Sequence, residues 1–181
     1  VRAVVLIALL IPVIASAHER THPKQIDVHL DPQGITLRVH FNVMAGQKAR
    51  EARSDFDANR DGQLGATEAE ALVRRLTTFA THALRISVEG KELPSLSQEV
   101  IARRGLNAPP GAGSDLGITL KMRYPFPFPG EPTRLQLRDW HPDPKWDVAV
   151  RLHAKDLTIQ PTRAAVMNRE KPLELLVTPV R

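Results

Sequence analysis

Between residues 25 and 43, apolar and polar side chains alternate with a period of two. Ile26, Val28 and Leu30 occupy one set of positions, and Asp27 and His29 the other. After Asp31-Pro32-Gln33-Gly34, a turn-forming run, Ile35, Leu37, Val39 and Phe41 alternate with Thr36, Arg38, His40 and Asn42. This pattern predicts a β-hairpin with one buried face. It also puts His29 and His40 on the polar face, where they can approach each other. From about 45 to 83 the period changes, and Ala, Glu, Arg, Lys and Gln dominate. These residues favour helix, and two helices are expected, over 45–56 and 66–81. On the second, Ala69, Leu72, Val73, Leu76 and Phe79 recur every three or four positions as one apolar stripe.

Strand texture returns at Leu84. Ile86, Val88, Glu89-Gly90-Lys91 and Leu93 suggest a tight second hairpin. Gly, Pro, Asn and Ser fill 105–116, which is expected to be a flexible loop. Strands are then expected over 117–124, 134–139, 146–154 and 173–180, with 157–159 extending the sheet. Prolines at 125, 127 and 129 remove backbone donors, so this stretch is expected at an edge or corner. The resulting fold class is α+β: a mostly antiparallel β-sandwich with a helix-loop-helix inserted at about 45–83.

Composition changes this picture at one end of the chain. Arg2, the apolar run from Ala3 to Ile14 and the small residues Ala15-Ser16-Ala17 read as a secretory signal peptide over 1–17. The run is shorter than the roughly 20 residues of a bilayer-spanning helix. The expectation is an 18–181 single domain exported to the periplasm or beyond, with no stable membrane span after cleavage. Without cysteine, thiolate zinc sites and thiol catalysis are excluded. The 25 Lys and Arg residues outnumber the 20 Asp and Glu, but they are scattered. No basic stripe or nucleic-acid motif accompanies them, so nucleic acid is not expected as a partner.

The segment 57–68 reads Asp57-Ala58-Asn59-Arg60-Asp61-Gly62-Gln63-Leu64-Gly65-Ala66-Thr67-Glu68. It resembles the twelve-residue loop of the EF-hand calcium-binding family. The resemblance implies Ca²⁺ as cofactor, held by side chains of Asp57, Asn59 and Asp61, the backbone carbonyl of Gln63 and a bidentate Glu68. A hard cation that takes six to eight oxygens needs such a set. Gly62 supplies the sharp turn. Leu64 points toward the core, and Gly65 leaves its ligand position to water or backbone. Phe56 and the apolar residues Leu72, Val73 and Leu76 match the family's flanks. The entering helix departs from them, with small Ala49 and Ala52 and with Arg53 at a position usually apolar. Three carboxylates with Arg60 nearby suggest a dissociation constant of about 10⁻⁵–10⁻³ M. A lone hand can meet a protein partner, pair across a homodimer or serve as a structural clip. The clip is favoured here, because the entering helix is thin and strands enclose the insertion.

Other constellations are weaker. Cleavage after Ala17 would free the amine of His18, which with His22 could grip Cu or Ni. This is the alternative function, transition-metal handling with calcium only structural. Residues 139–147 hold two tryptophans and three carboxylates, a composition found in sugar platforms but more often in a packed loop between strands. No nucleophile elbow or phosphate-cradling glycine loop is present, so the expectation is a non-catalytic protein. The layout also loosely resembles extracytoplasmic modules of bacterial nickel-permease-like proteins.

Overall fold

The computed structural model describes residues 23–141, 147–160 and 165–180. The first hairpin forms as expected, from β1 (Lys24–Asp31) and β2 (Gly34–Val43). Its register pairs Ile26 with Val39 and Val28 with Leu37, so the alternating apolar set lies on one face and is buried. Two helices follow, α1 (Gln47–Ser54) and α2 (Ala66–Thr81). α1 is shorter than the 45–56 expected, because Gly46 precedes it at φ 112, outside helical space. Then come β3 (Leu84–Val88), β4 (Lys91–Glu92), β5 (Ser97–Arg104), β6 (Leu116–Pro125), β7 (Thr133–Asp139), β8 (Val148–Ala154), β9 (Leu157–Gln160), β10 (Ala165–Met167) and β11 (Leu173–Pro179). The β3–β4 turn is tight, with Glu89 and Gly90 both at positive φ.

The strands form two sheets. One has six strands in the order β10-β8-β1-β2-β6-β5, and the other has five in the order β4-β3-β7-β11-β9. The five-stranded sheet is antiparallel, whereas the six-stranded one is mixed, since β1 runs parallel to β8. Inward side chains of both sheets and the stripe of α2 meet in one hydrophobic cluster. Burying each large aliphatic side chain there contributes about 1.5–3 kcal/mol. At the cluster's edge Lys24 of β1 donates to Asp139 of β7 at 2.6 Å, a buried ion pair that joins the two sheets. Burial pulls the Lys24 ammonium below its usual range, and the Asp139 charge opposes that pull.

Several features differ from the sequence expectations. β5 carried no strand signal, because it is an edge strand with mostly exposed residues and so lacks apolar alternation. β10 is too short to show a period. In the stripe of α2, Ala80 is buried, whereas Phe79 is half exposed. There Phe79 stacks on Phe41 and takes the Arg75 guanidinium on its ring at 4.4 Å. His29 and His40 do not meet. The register sets His29 opposite Thr36 and His40 opposite Gln25. The parallel neighbour β8 instead brings His153 beside His29, with ring centroids 4.5 Å apart and planes 10° from parallel.

The segment 105–115, between β5 and β6, is irregular as expected but is tied down rather than loose. Arg53 of α1 is fully buried and no carboxylate is among its hydrogen-bond partners. Its Nε and Nη2 donate to the Gly105 carbonyl at 3.1 and 2.9 Å. Nη1 donates to the carbonyls of Ala112 and Ser114 at 2.8 and 3.0 Å, and Nη2 to that of Asp115 at 3.1 Å. Gly105 has φ 67, and a β-carbon there would fall 2.0 Å from the Asp115 oxygen. The backbone adds a second tie, Gly46 N–H to the Gly113 carbonyl at 2.7 Å.

A planar guanidinium with five donors can serve this fan of carbonyls, whereas an ammonium with three cannot. Arg53→Lys should therefore lower unfolding stability by about 2–4 kcal/mol and expose 105–115 to limited proteolysis. A denaturant midpoint equal to wild type would refute the role given to Arg53. The histidine stack gives a second test. Burial pushes the His29 imidazole below its usual range, the charges on His153 and Arg38 push it further, and Asp27 opposes them. The unfolded chain therefore binds a proton that the folded chain resists. Stability is full above about pH 6.5 and declines as pH falls below it. Thermal midpoints between pH 7.5 and 5 should fall less steeply in His153→Gln than in wild type.

Candidate functional site

The loop 57–68 connects α1 to α2, so its two ends are set by how those helices are fixed. Arg53 holds α1 against 105–115, while Leu72, Val73, Leu76 and Ala80 hold α2 in the core. Between these anchors the chain winds through two left-handed residues, Arg60 at φ 57 and Gly62 at φ 78. Gly62 takes that conformation without strain, and Arg60 takes it at some cost. Leu64 is partly buried and packs on the core cluster, as expected.

The acidic and amide side chains turn onto the loop's own backbone. Asp57 Oδ2 accepts the Gly62 N–H at 3.1 Å. Asn59 Oδ1 accepts the Asp61 N–H at 3.1 Å, and Asp61 Oδ1 accepts the Gln63 N–H at 2.8 Å. Glu68 closes the ring from the first turn of α2. Its Oε1 accepts the Ala58 N–H and its Oε2 the Gly65 N–H, both at 2.8 Å. These bonds draw residues from both ends of the loop together. The Gly65 bond also satisfies an N–H at the start of α2, where a negative charge is favoured.

One atom is left over. Asp57 Oδ1 is buried and has no hydrogen-bond partner. A buried carboxylate oxygen without a donor is costly, and a hard cation would relieve that cost. The donor set fits such an ion, being carboxylate and amide oxygens with the Gln63 carbonyl next in sequence. Asp57, Asn59, Asp61, Gln63 and Glu68 are the residues that would hold it, and what the ion would supply is charge neutralisation. The fit is incomplete. Among the described residues no three His, Cys, Asp or Glu side chains converge closely enough to hold a metal. Asp61 Oδ2 also accepts the Asn59 amide at 2.9 Å.

Against the hairpin, an apolar recess of about 410 Å³ lies between the helices and β2, lined among others by Phe41, Ala52, Phe56, Leu72 and Phe79. It was not foreseen, because it needs α1 and α2 to be set apart over the end of β2. The residues proposed for transition-metal binding, His18 and His22, lie outside the described residues, as do residues 142–146 of the tryptophan-rich segment. Within that segment Trp140 is half exposed, with the Arg138 guanidinium 4.7 Å from its ring centre. No helix among the described residues is long and apolar enough to cross a membrane.

No protein-family model matches the chain, and comparison with curated proteins and with solved structures likewise finds no match.

Proposed function

We propose that the protein binds Ca²⁺ through the loop 57–68, and that the ion acts as a clip fixing the helical hairpin to the sheets. The carrying observation is the buried, unpartnered Asp57 Oδ1, set in a loop wound by Arg60 and Gly62 and closed by Glu68. We read the whole as an exported, non-catalytic β-sandwich with an EF-hand inserted between β2 and β3. Arg53 ties α1 to 105–115, and the apolar stripe ties α2 to the core. Binding would then neutralise Asp57, Asp61 and Glu68 and rigidify the loop, rather than swing one helix away from the other. With three carboxylates and Arg60 in the loop, affinity belongs at the weak end of the EF-hand range, about 10⁻⁵–10⁻³ M.

Calorimetric titration of residues 18–181 tests this. Heat should accompany Ca²⁺ binding in that range. At about 10 mM Ca²⁺ and a dissociation constant near 10⁻⁴ M, linkage should add roughly 2.7 kcal/mol of stability. Asp57→Ala and Glu68→Gln should each remove both effects. Neither heat nor a shift in thermal midpoint at 10 mM Ca²⁺ would end the proposal. An unchanged radius by light scattering on adding Ca²⁺ is expected of a clip, and doubling of the mass would point to a paired hand instead.

A further inference from the structure

The outward face of the six-stranded sheet carries a trough that neither the calcium loop nor the core explains. In the register the outward residues Ala149, Gln25, His40, Thr119 and Ala102 form one row across β8, β1, β2, β6 and β5. Three of these five are small, so the row is low. Five strands at about 4.8 Å spacing give it a length near 19 Å. A groove of about 360 Å³ lies along four of these residues, Gln25, His40, Thr119 and Ala102. One wall is the neighbouring row, where Arg151, Asp27, Arg38, Lys121 and Glu99 stand outward. On the other side Asn42, Gly117 and Arg104 continue the groove.

Three observations show that this trough is built. Gly117 sits in β6, an interior strand where glycine weakens pairing and often marks close approach. A β-carbon there would meet Asn42 Oδ1 at 2.4 Å and the Phe41 carbonyl at 2.7 Å, so the glycine makes room for the Asn42 amide. His40 is locked, with Nδ1 on Thr119 Oγ1 at 3.1 Å and Nε2 on Asp27 Oδ2 at 3.0 Å. Asp27 in turn accepts from Arg151 Nε at 2.7 Å, which fixes that guanidinium beside the groove. Burial alone would raise the Asp27 carboxyl, but the His40 and Arg151 hydrogen bonds outweigh it and hold it low, so of this wall's two carboxylates Asp27 is already satisfied and Glu99 stands at the far end on β5. Arg104, by contrast, is exposed and has no partner among the described residues, while its neighbour Arg103 is turned to Glu70 of α2.

We infer that this trough binds a short linear acidic oligosaccharide, its carboxylate or sulfate groups on Arg104 and Arg151 and its hydroxyls on the Gln25 and Asn42 amides. The geometry disfavours other polyanions. The trough runs across the strands, so an acidic peptide cannot add to it by backbone pairing. No Phe, Tyr or Trp lines it to stack nucleic-acid bases, and the His40 ring is held by Thr119 and Asp27. It is concave, so a membrane surface would touch only its rims. Guanidinium forks suit carboxylate and sulfate oxygens, and paired amides suit hydroxyls.

The test is titration of residues 18–181 with tetragalacturonate at low ionic strength, beside maltotetraose, hexaglutamate and inorganic phosphate. Tetragalacturonate should bind, more weakly as salt rises, and the other three should bind at least tenfold more weakly. Arg104→Ser should weaken binding about three- to tenfold, and Arg74→Ser, the same charge loss on α2, should not. Ala102→Glu should abolish binding by placing a carboxylate in the trough. Both test positions are exposed, so folding should survive, and circular dichroism checks this. No binding of tetragalacturonate, equal binding of hexaglutamate or phosphate, or indifference to Ala102→Glu would each overturn the assignment.

Discussion

The Arg53 guanidinium is fully buried, and its donors face backbone carbonyls of Gly105, Ala112, Ser114 and Asp115. Taking a cation out of water is costly, and here carbonyl dipoles rather than a carboxylate offset the cost. Burial accordingly pulls the guanidinium below its usual pKa. The arrangement holds only if the segment 105–115 is wrapped around the side chain, and that wrapping needs Gly105 at positive φ. One residue on a two-turn helix thus fixes a long irregular connection. The connection in turn sets where β6 begins, beside the centre of the six-stranded sheet.

The candidate calcium loop depends on the same clamp. α1 has eight residues and few buried apolar side chains, so it could not hold its place by packing alone. Arg53 supplies what an apolar residue would supply in a helix with a fuller stripe. α2 is held differently, by its buried Leu72, Val73, Leu76 and Ala80. The loop therefore spans a polar anchor and an apolar one, and its ends are fixed independently of its own contents. This is the physical basis for preferring a clip to a switch.

Legibility followed the strength of local pattern. The first hairpin was readable because thirteen alternating positions and a turn agree, and its register follows from the turn. The bounds of α2 were readable, because its stripe and good helix formers coincide, although Ala80 rather than Phe79 is buried. The loop 57–68 stood out because chelation would require particular residue types at particular spacings. β5 was not, because an exposed edge strand needs no periodicity. Arg53 appeared in the sequence only as a departure from an apolar position. Its reason lies more than fifty residues away, in carbonyls whose side chains carry no trace of it.

The outward trough shows the same division. The hairpin's alternation put His29 and His40 on the polar face, yet which residues share a row with them depends on strand order. The parallel seating of β8 beside β1 brings Arg151 to Asp27 and His153 to His29 across more than 120 residues. Sequence by itself determined the first hairpin, α2 and their buried faces, and it singled out the loop 57–68 as a candidate. Those follow from dihedral preference, side-chain period and donor type, which are properties of neighbouring residues. Only the tertiary structure decided the sheet order, the Arg53 clamp and the cationic trough. Those depend on contacts between distant segments, and backbone carbonyls and glycine clearances that leave no mark in the order of side chains.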